Sequence, residues 1–144
     1  MNAGPLLGLT LAAMVSGCVW PAIGAHAMNA EKERNCVEAE QRYQQLFGKP
    51  SKDEPLGVIL MFNNTFCPPE HAVKQGARVR FVNVDRRTSH SVWFRDAGKE
   101  ETERVFPQES VEMAIDLPPG EHTYLCGPHW ESDGMIGLLR VMGN

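Results

Sequence analysis

Between residues 124 and 137 the chain reads Tyr124-Leu125-Cys126-Gly127-Pro128-His129-Trp130-Glu131-Ser132-Asp133-Gly134-Met135-Ile136-Gly137. A thiol, an imidazole and a thioether stand there within ten positions. Runs of β character flank them, Glu121 to Cys126 and Gly137 to Met142, so the donors fall on a tight loop between two strands. Thiolate and thioether suit copper(I), and imidazole suits either oxidation state. Three strong donors with one weak axial sulfur make an electron-transfer site. The loop holds one imidazole, so a second must come from elsewhere in the chain. His90, near a strand start in Thr88-Ser89-His90-Ser91-Val92, is the best candidate, 36 positions before Cys126. Only tertiary folding closes that separation, and a sandwich does so by bringing two loops to one end. Cys-x2-His alone could be half of a zinc site, but no further Cys or His stands at knuckle spacing.

Working outward, further short β runs cover Leu56 to Phe62, Ala77 to Val84, Ser89 to Phe94 and Ser110 to Asp116. Turn signals separate them at Asn63-Asn64, Lys74-Gln75-Gly76, Asp96-Ala97-Gly98 and Pro118-Pro119-Gly120. Many short strands at this spacing imply an all-β antiparallel sandwich or barrel. One stretch, residues 30 to 47, has helical spacing. Cys36, Ala39, Tyr43, Leu46 and Phe47 share a face, Asn29 is placed to cap its start, and Gly48 and Pro50 supply its stop. Its apolar stripe is expected to dock on a sheet. The chain has no internal repeats and no glycine-rich phosphate loop.

No charged residue precedes Glu31. The apolar run from Pro5 to Val19 has the length of a signal-peptide core and falls short of the roughly 20 residues that span a membrane. Ala25-His26-Ala27 offers a cleavage pattern before Met28, while Val15-Ser16-Gly17-Cys18 resembles a lipobox that would acylate Cys18. The expected organisation is a signal peptide at 1–27, a helical extension at 28–55 and a β domain at 56–144, in an exported, periplasmic protein. Removing 27 of the 144 residues leaves 117, with 14 basic and 18 acidic side chains and three of the four cysteines. A net charge of −4 argues against binding to a phosphate backbone, and hence against nucleic acid as a partner. An odd cysteine count in an oxidising compartment implies one pair and one thiol with another task.

From about Thr65 to Met142 the chain resembles the cupredoxins, the blue-copper proteins of the plastocyanin, pseudoazurin and amicyanin type. The resemblance rests on Phe66-Cys67-Pro68, Val79-Arg80-Phe81-Val82-Asn83, His90, and the final Cys-x2-His with Gly134-Met135-Ile136-Gly137. It implies a Greek-key β-sandwich holding one type 1 copper ion, with His90, Cys126 and His129 as strong ligands and Met135 as the axial one. Two departures stand out. Plastocyanin and pseudoazurin have four residues between the loop His and the Met, whereas five separate His129 from Met135, and Ser91 stands where many members carry Asn.

With Cys126 assigned to copper, Cys36 and Cys67 remain to form a disulfide that ties the helix to the strands, the alternative being that either thiol binds metal. His122 shares a strand face with Cys126 and reads as a core histidine, and His71 as a surface or loop residue. The functional expectation is a monomeric electron carrier, not an enzyme, that meets a redox protein partner near His129 and Trp130. The alternative is a periplasmic copper-tolerance protein that sequesters the metal and works with copper-homeostasis proteins.

Overall fold

The run Gly-Val-Ile-Leu-Met-Phe forms β1 (Gly57–Phe62), and every residue after Gly57 is buried. Burial on both faces demands a layer on each side of the strand. The computed structural model, which describes residues 23–143 together with Met1 and Gly4, shows both layers. β1 lies in a sheet ordered β2-β1-β4-β5, where β2 is Thr65–Cys67, β4 is Arg78–Asn83 and β5 is Ser110–Ala114. A second sheet is ordered β3-β7-β6, made of Glu70–Lys74, Ile136–Met142 and Gly120–Leu125 respectively. Between the sheets pack Ile59, Met61, Phe66, Val79 and Phe81 from the first and Val73, Tyr124, Leu139 and Val141 from the second. Tyr124 is the hub, its ring centroid 4.6 Å from Phe66, 5.3 Å from Phe94 and 5.5 Å from Phe81. The fold is the expected β-sandwich.

On the outer face of the first sheet lies α1 (Ile23–Phe47), with Ala39 and Tyr43 packed among Val58, Leu60, Phe62, Val82 and Val84. Burying these groups stabilises by roughly 1.5–3 kcal/mol per large side chain, which holds the helix to the sheet. A disulfide between Cys36 and Cys67 closes the same contact, and Arg42 Nε donates to the Val84 carbonyl at 2.6 Å.

Several sequence expectations are corrected. The sandwich is mixed rather than antiparallel, because β1 pairs in parallel with β4 and β3 with β7. The helix begins at Ile23, so Asn29 lies inside it and does not cap it. Alanines at 25, 27 and 30 favour helix there and no proline intervenes before Pro50. Leu46 and Phe47, at the end of the stripe, are 37% and 43% exposed, with Phe47 packed on Tyr43 of its own helix. Residues 89–94 form no strand; they make only isolated bridges, His90 to Val105 and Trp93 to Leu125. The strands at 65–67 and 70–74 had no alternating signal of sufficient length to be read. The expected leader lies largely outside the described residues, as does Cys18, and its last residues fall within α1. Among the described residues no helix is long and apolar enough to cross a membrane.

Candidate metal centre

The bridges flanking residue 90 locate the first imidazole. His90 exchanges both backbone hydrogen bonds with Val105, at 3.1 and 2.8 Å, and Trp93 does the same with Leu125, at 2.9 and 3.0 Å. Segment 90–93 is thereby laid beside the end of β6, which carries Cys126 next in sequence. The loop after Cys126 folds back on itself: His129 and Trp130 N–H both donate to the Cys126 carbonyl, at 3.0 and 2.9 Å. Trp130–Asp133 then make one helical turn, α2, which Gly134 ends at φ 62°. The Arg95 guanidinium lies 4.6 Å over the Trp130 ring and 5.7 Å from that of Trp93, packing this turn against the preceding segment.

His90, Cys126 and His129 thus converge, with one donor atom from each lying within 4.8 Å of the others. Cys126 Sγ is 3.7 Å from His90 Nδ1 and 3.3 Å from His129 Nδ1. A metal with bonds of roughly 2.0 Å to nitrogen and 2.3 Å to sulfur places S and N about 3.3–3.8 Å apart at angles near 100–120°. Both sulfur–nitrogen separations lie in that range, so the donor set fits a metal ion. Cys126 and His90 are wholly buried and His129 is half-buried, so the set reaches solvent on the His129 side. Among the described residues Cys126 is the free cysteine. Met135 is also fully buried; its carbonyl accepts from Cys126 N–H at 3.1 Å and its N–H donates to the His129 carbonyl at 3.2 Å. Three of the four predicted residues thus bring donor atoms together, and the Met135 backbone lies beside two of them, Cys126 and His129.

Four polar side chains outside that set surround it, Asp85, Asn83, Ser91 and Glu101, and Asp85 and Glu101 escaped the sequence reading. Asp85 Oδ2 lies 2.7 Å from His90 Nε2, the nitrogen facing away from Cys126, and also accepts from Asn63 N–H at 3.1 Å. A partner on the far nitrogen fixes the tautomer that leaves Nδ1 free to ligate. Asn83 sets this turn: its amide donates to the Thr88 and Val105 carbonyls, each at 2.8 Å, and its carbonyl accepts from Asp85 N–H at 2.8 Å. Ser91, foreseen as a shorter substitute for Asn, donates N–H to Cys126 Sγ at 3.4 Å, and its hydroxyl meets Gly127 N–H at 2.9 Å and Glu101 at 2.6 Å. Asp85 stands five positions before a candidate ligand, a weak signal that was available; Glu101 sits in a charged run and gave none.

Charge distribution differentiates the two imidazoles. Burial is the largest influence on His90 and opposes its protonated form, yet hydrogen bonds and charge from Asp85 and Cys126 together push its pKa above the ordinary value. His129 is held below the ordinary value, first by burial and then by repulsion from His90. Elsewhere, His122 is not a core histidine. It lies half-buried at the start of β6 with Nε2 2.8 Å from the Pro118 carbonyl, because the sandwich ends there and leaves its side uncovered. His71, in β3, is partly buried and its pKa is lowered by that burial.

No family model matches the chain. It is 36% identical over 89 residues to a plastocyanin of Synechococcus sp. strain JA-2-3B'a(2-13), covering 54% of this chain and 64% of that protein. To a plastocyanin of Nostoc punctiforme it is 30% identical over 89 residues, covering 60% of this chain and 58% of the relative. The chain thus spans less than two thirds of the curated relatives it matches. Among solved structures, a reduced Cu(I) form of an amicyanin variant superposes with a TM-score of 0.53 at 22% identity, over 62% of this chain and 84% of the amicyanin. A Cu-containing nitrite reductase from Thermus scotoductus gives 0.52 at 25% identity, over 66% of this chain but 24% of the enzyme. The amicyanin superposition supports the sandwich fold, and the plastocyanin identities are a separate, sequence-level likeness. The chain therefore has a cupredoxin-like β-sandwich fold and is similar in sequence to plastocyanins.

Proposed function

We propose that this chain binds one copper ion through His90, Cys126 and His129, with Met135 as axial ligand, and carries single electrons between redox partners as an exported, periplasmic protein. One observation supports the reading above the others: a thiolate and two imidazole nitrogens converge at metal-binding separations in a pocket closed to water except beside His129. Copper bound by such a set supplies a one-electron couple. The protein's part is to hold the donors still. His90 is locked by paired backbone bonds to Val105 and by Asp85, and Cys126 by Met135 and Ser91. His129 is the half-buried member, so its ring edge is the route to a partner. Pro128, Trp130 and Gly134 are half-buried beside it and Ile136 is exposed, a small rim for transient docking. No general base lies within the donor set, which favours a carrier over an enzyme.

The domain reading follows: residues 56–144 form the copper-binding sandwich, 28–55 a helical extension that covers its outer face, and 1–27 the export signal. Adding Cu(II) to the purified chain should give an intense thiolate-to-copper absorption band and a narrow copper hyperfine pattern, both lost in Cys126→Ser. A parent protein without the band would sink the proposal. Deletion of the gene should lower a respiratory electron-transfer activity; sensitivity to copper alone would instead indicate metal sequestration.

A further inference from the structure

Glu101 lies in the run Glu100-Glu101-Thr102-Glu103, which sequence alone marks as a solvated acidic stretch. Its backbone is nevertheless held in place. Thr102 N–H donates to the Val92 carbonyl at 3.0 Å, and Thr102 Oγ1 accepts from Val92 N–H at 2.9 Å. These two bonds set Glu101 alongside Ser91 and opposite Gly127. The carboxylate accepts the hydroxyl of Ser91 at 2.6 Å and fills the space beside Gly127 where a side chain would begin; a Cβ added at Gly127 would fall 2.7 Å from Oε2 and closer still to Oε1. A larger residue at position 127 would have to displace that carboxylate.

A hydroxyl has one proton to give. The Ser91 proton points to Glu101 at 2.6 Å, while its oxygen accepts from Gly127 N–H at 2.9 Å. Cys126 Sγ, 4.0 Å from the same oxygen, is left with the Ser91 N–H as its donor from this segment. Donors to a metal-bound thiolate draw off its electron density and favour the reduced ion, so their number sets the potential. On the copper-binding reading above, we propose that Glu101 is a positioning residue that holds the Ser91 hydroxyl away from the Cys126 thiolate and clamps Gly127, keeping the reduction potential low. It acts through Ser91 and touches no ligand. Its carboxylate charge works in the same direction, by favouring the more positive oxidised ion.

The test compares Glu101→Ala, Glu101→Gln, Ser91→Ala and the Glu101→Ala/Ser91→Ala pair. In the copper-free protein, amide hydrogen exchange at Gly127 should accelerate several-fold in Glu101→Ala and Ser91→Ala and stay near the parent rate in Glu101→Gln, whose amide oxygen still accepts the hydroxyl. In copper-loaded protein, Glu101→Ala should raise the Cu(I) over Cu(II) binding ratio about tenfold, ~59 mV upward for one electron. Glu101→Gln should give about a third of that change in millivolts. In the Ser91→Ala background, Glu101→Ala should shift the potential only as far as Glu101→Gln does in the parent. Unchanged potential and unchanged Gly127 exchange in Glu101→Ala overturn the proposal, and so does an equal shift with and without Ser91, which would leave only the charge acting. A parent lacking the thiolate-to-copper band refutes the copper reading alone, because Gly127 exchange in the copper-free protein still judges the clamp.

Discussion

Asp85→Ala isolates what a carboxylate behind the first imidazole contributes. The parent carboxylate accepts the His90 Nε2 proton at 2.7 Å and the Asn63 N–H at 3.1 Å, and the His90 ring is wholly buried. Truncation leaves the imidazole N–H in an enclosed site with no acceptor, at about 1–3 kcal/mol. Asn63 sits at an exposed turn where water replaces the lost acceptor, so its share is smaller, about 0.5–1 kcal/mol. The sum is about 1.5–4 kcal/mol of folding stability in the copper-free protein. Asp85→Asn keeps an acceptor oxygen but loses the charge, so it should lose about half as much. It also lets the amide donate to Nε2 and move the ring proton to Nδ1, where it faces Cys126. Urea unfolding gives the energies, and nitrogen-15 chemical shifts of the His90 ring at pH 9 report which nitrogen carries the proton. The expected parent signature is Nε2–H, with copper affinity falling 10- to 100-fold in both variants, the range for partners of metal-binding imidazoles. An Nδ1–H tautomer in the parent, or a loss under about 0.5 kcal/mol in Asp85→Ala, would refute the reasoning.

Gly137→Ala should destabilise by about 3 kcal/mol in urea unfolding, since the new Cβ falls 2.6 Å from Tyr124 Cε2 and closer to Cζ, and that ring is boxed in by Phe66, Phe81 and Phe94. Cys36→Ser should cost ~3.5 kcal/mol for loss of a link across 31 positions, seen as a lower thermal midpoint, while the copper spectrum at room temperature stays as in the parent. Glu40 accepts from the Ser51 N–H at 2.9 Å and from its hydroxyl at 2.5 Å; burial alone would raise its pKa, but these bonds bring it below 4.5. A carboxyl lowered on folding stabilises fully above its unfolded pKa and ceases to do so as pH falls through the folded one. Glu40→Gln should therefore flatten the acid side of the stability-against-pH curve and cost about 1 kcal/mol at pH 7.

How legible each part was depends on whether its cause is local. The Cys126 loop, its strands and the turns at Asn63-Asn64 and Gly76 declare themselves through residue types that serve few other purposes; both asparagines and Gly76 have positive φ. The second imidazole was legible only as one histidine near a strand start. What fixes His90 is a pair of bridges to Val105 and Leu125, and a bridge of one residue leaves no alternation to read. Parallel pairing of β1 with β4 escaped for a related reason: β1 is covered by the sandwich core on one face and α1 on the other, so its apolar run carries no facial pattern. His122 shows the opposite error. Its face was read correctly, alternating with Tyr124 and Cys126, but depth along a strand is not periodic, and its end of β6 is uncovered.

Five residues separate His129 from Met135, and the structure gives that stretch a specific shape. Residues 130–133 turn once as α2, and a helical turn advances only about 5.4 Å while using nearly four residues. Extra chain is thus taken up with little added reach. Gly134 then reverses the backbone at φ 62°, a conformation that costs an L side chain about 1 kcal/mol, and Met135 N–H returns to the same His129 carbonyl that Asp133 N–H uses. Met135 is delivered beside Cys126, with its carbonyl on the Cys126 N–H at 3.1 Å, whatever the count of intervening residues. Loop length by itself therefore says little about where Met135 sits. The turn, its glycine and the packing of Trp130 under Arg95 set where residue 135 is carried.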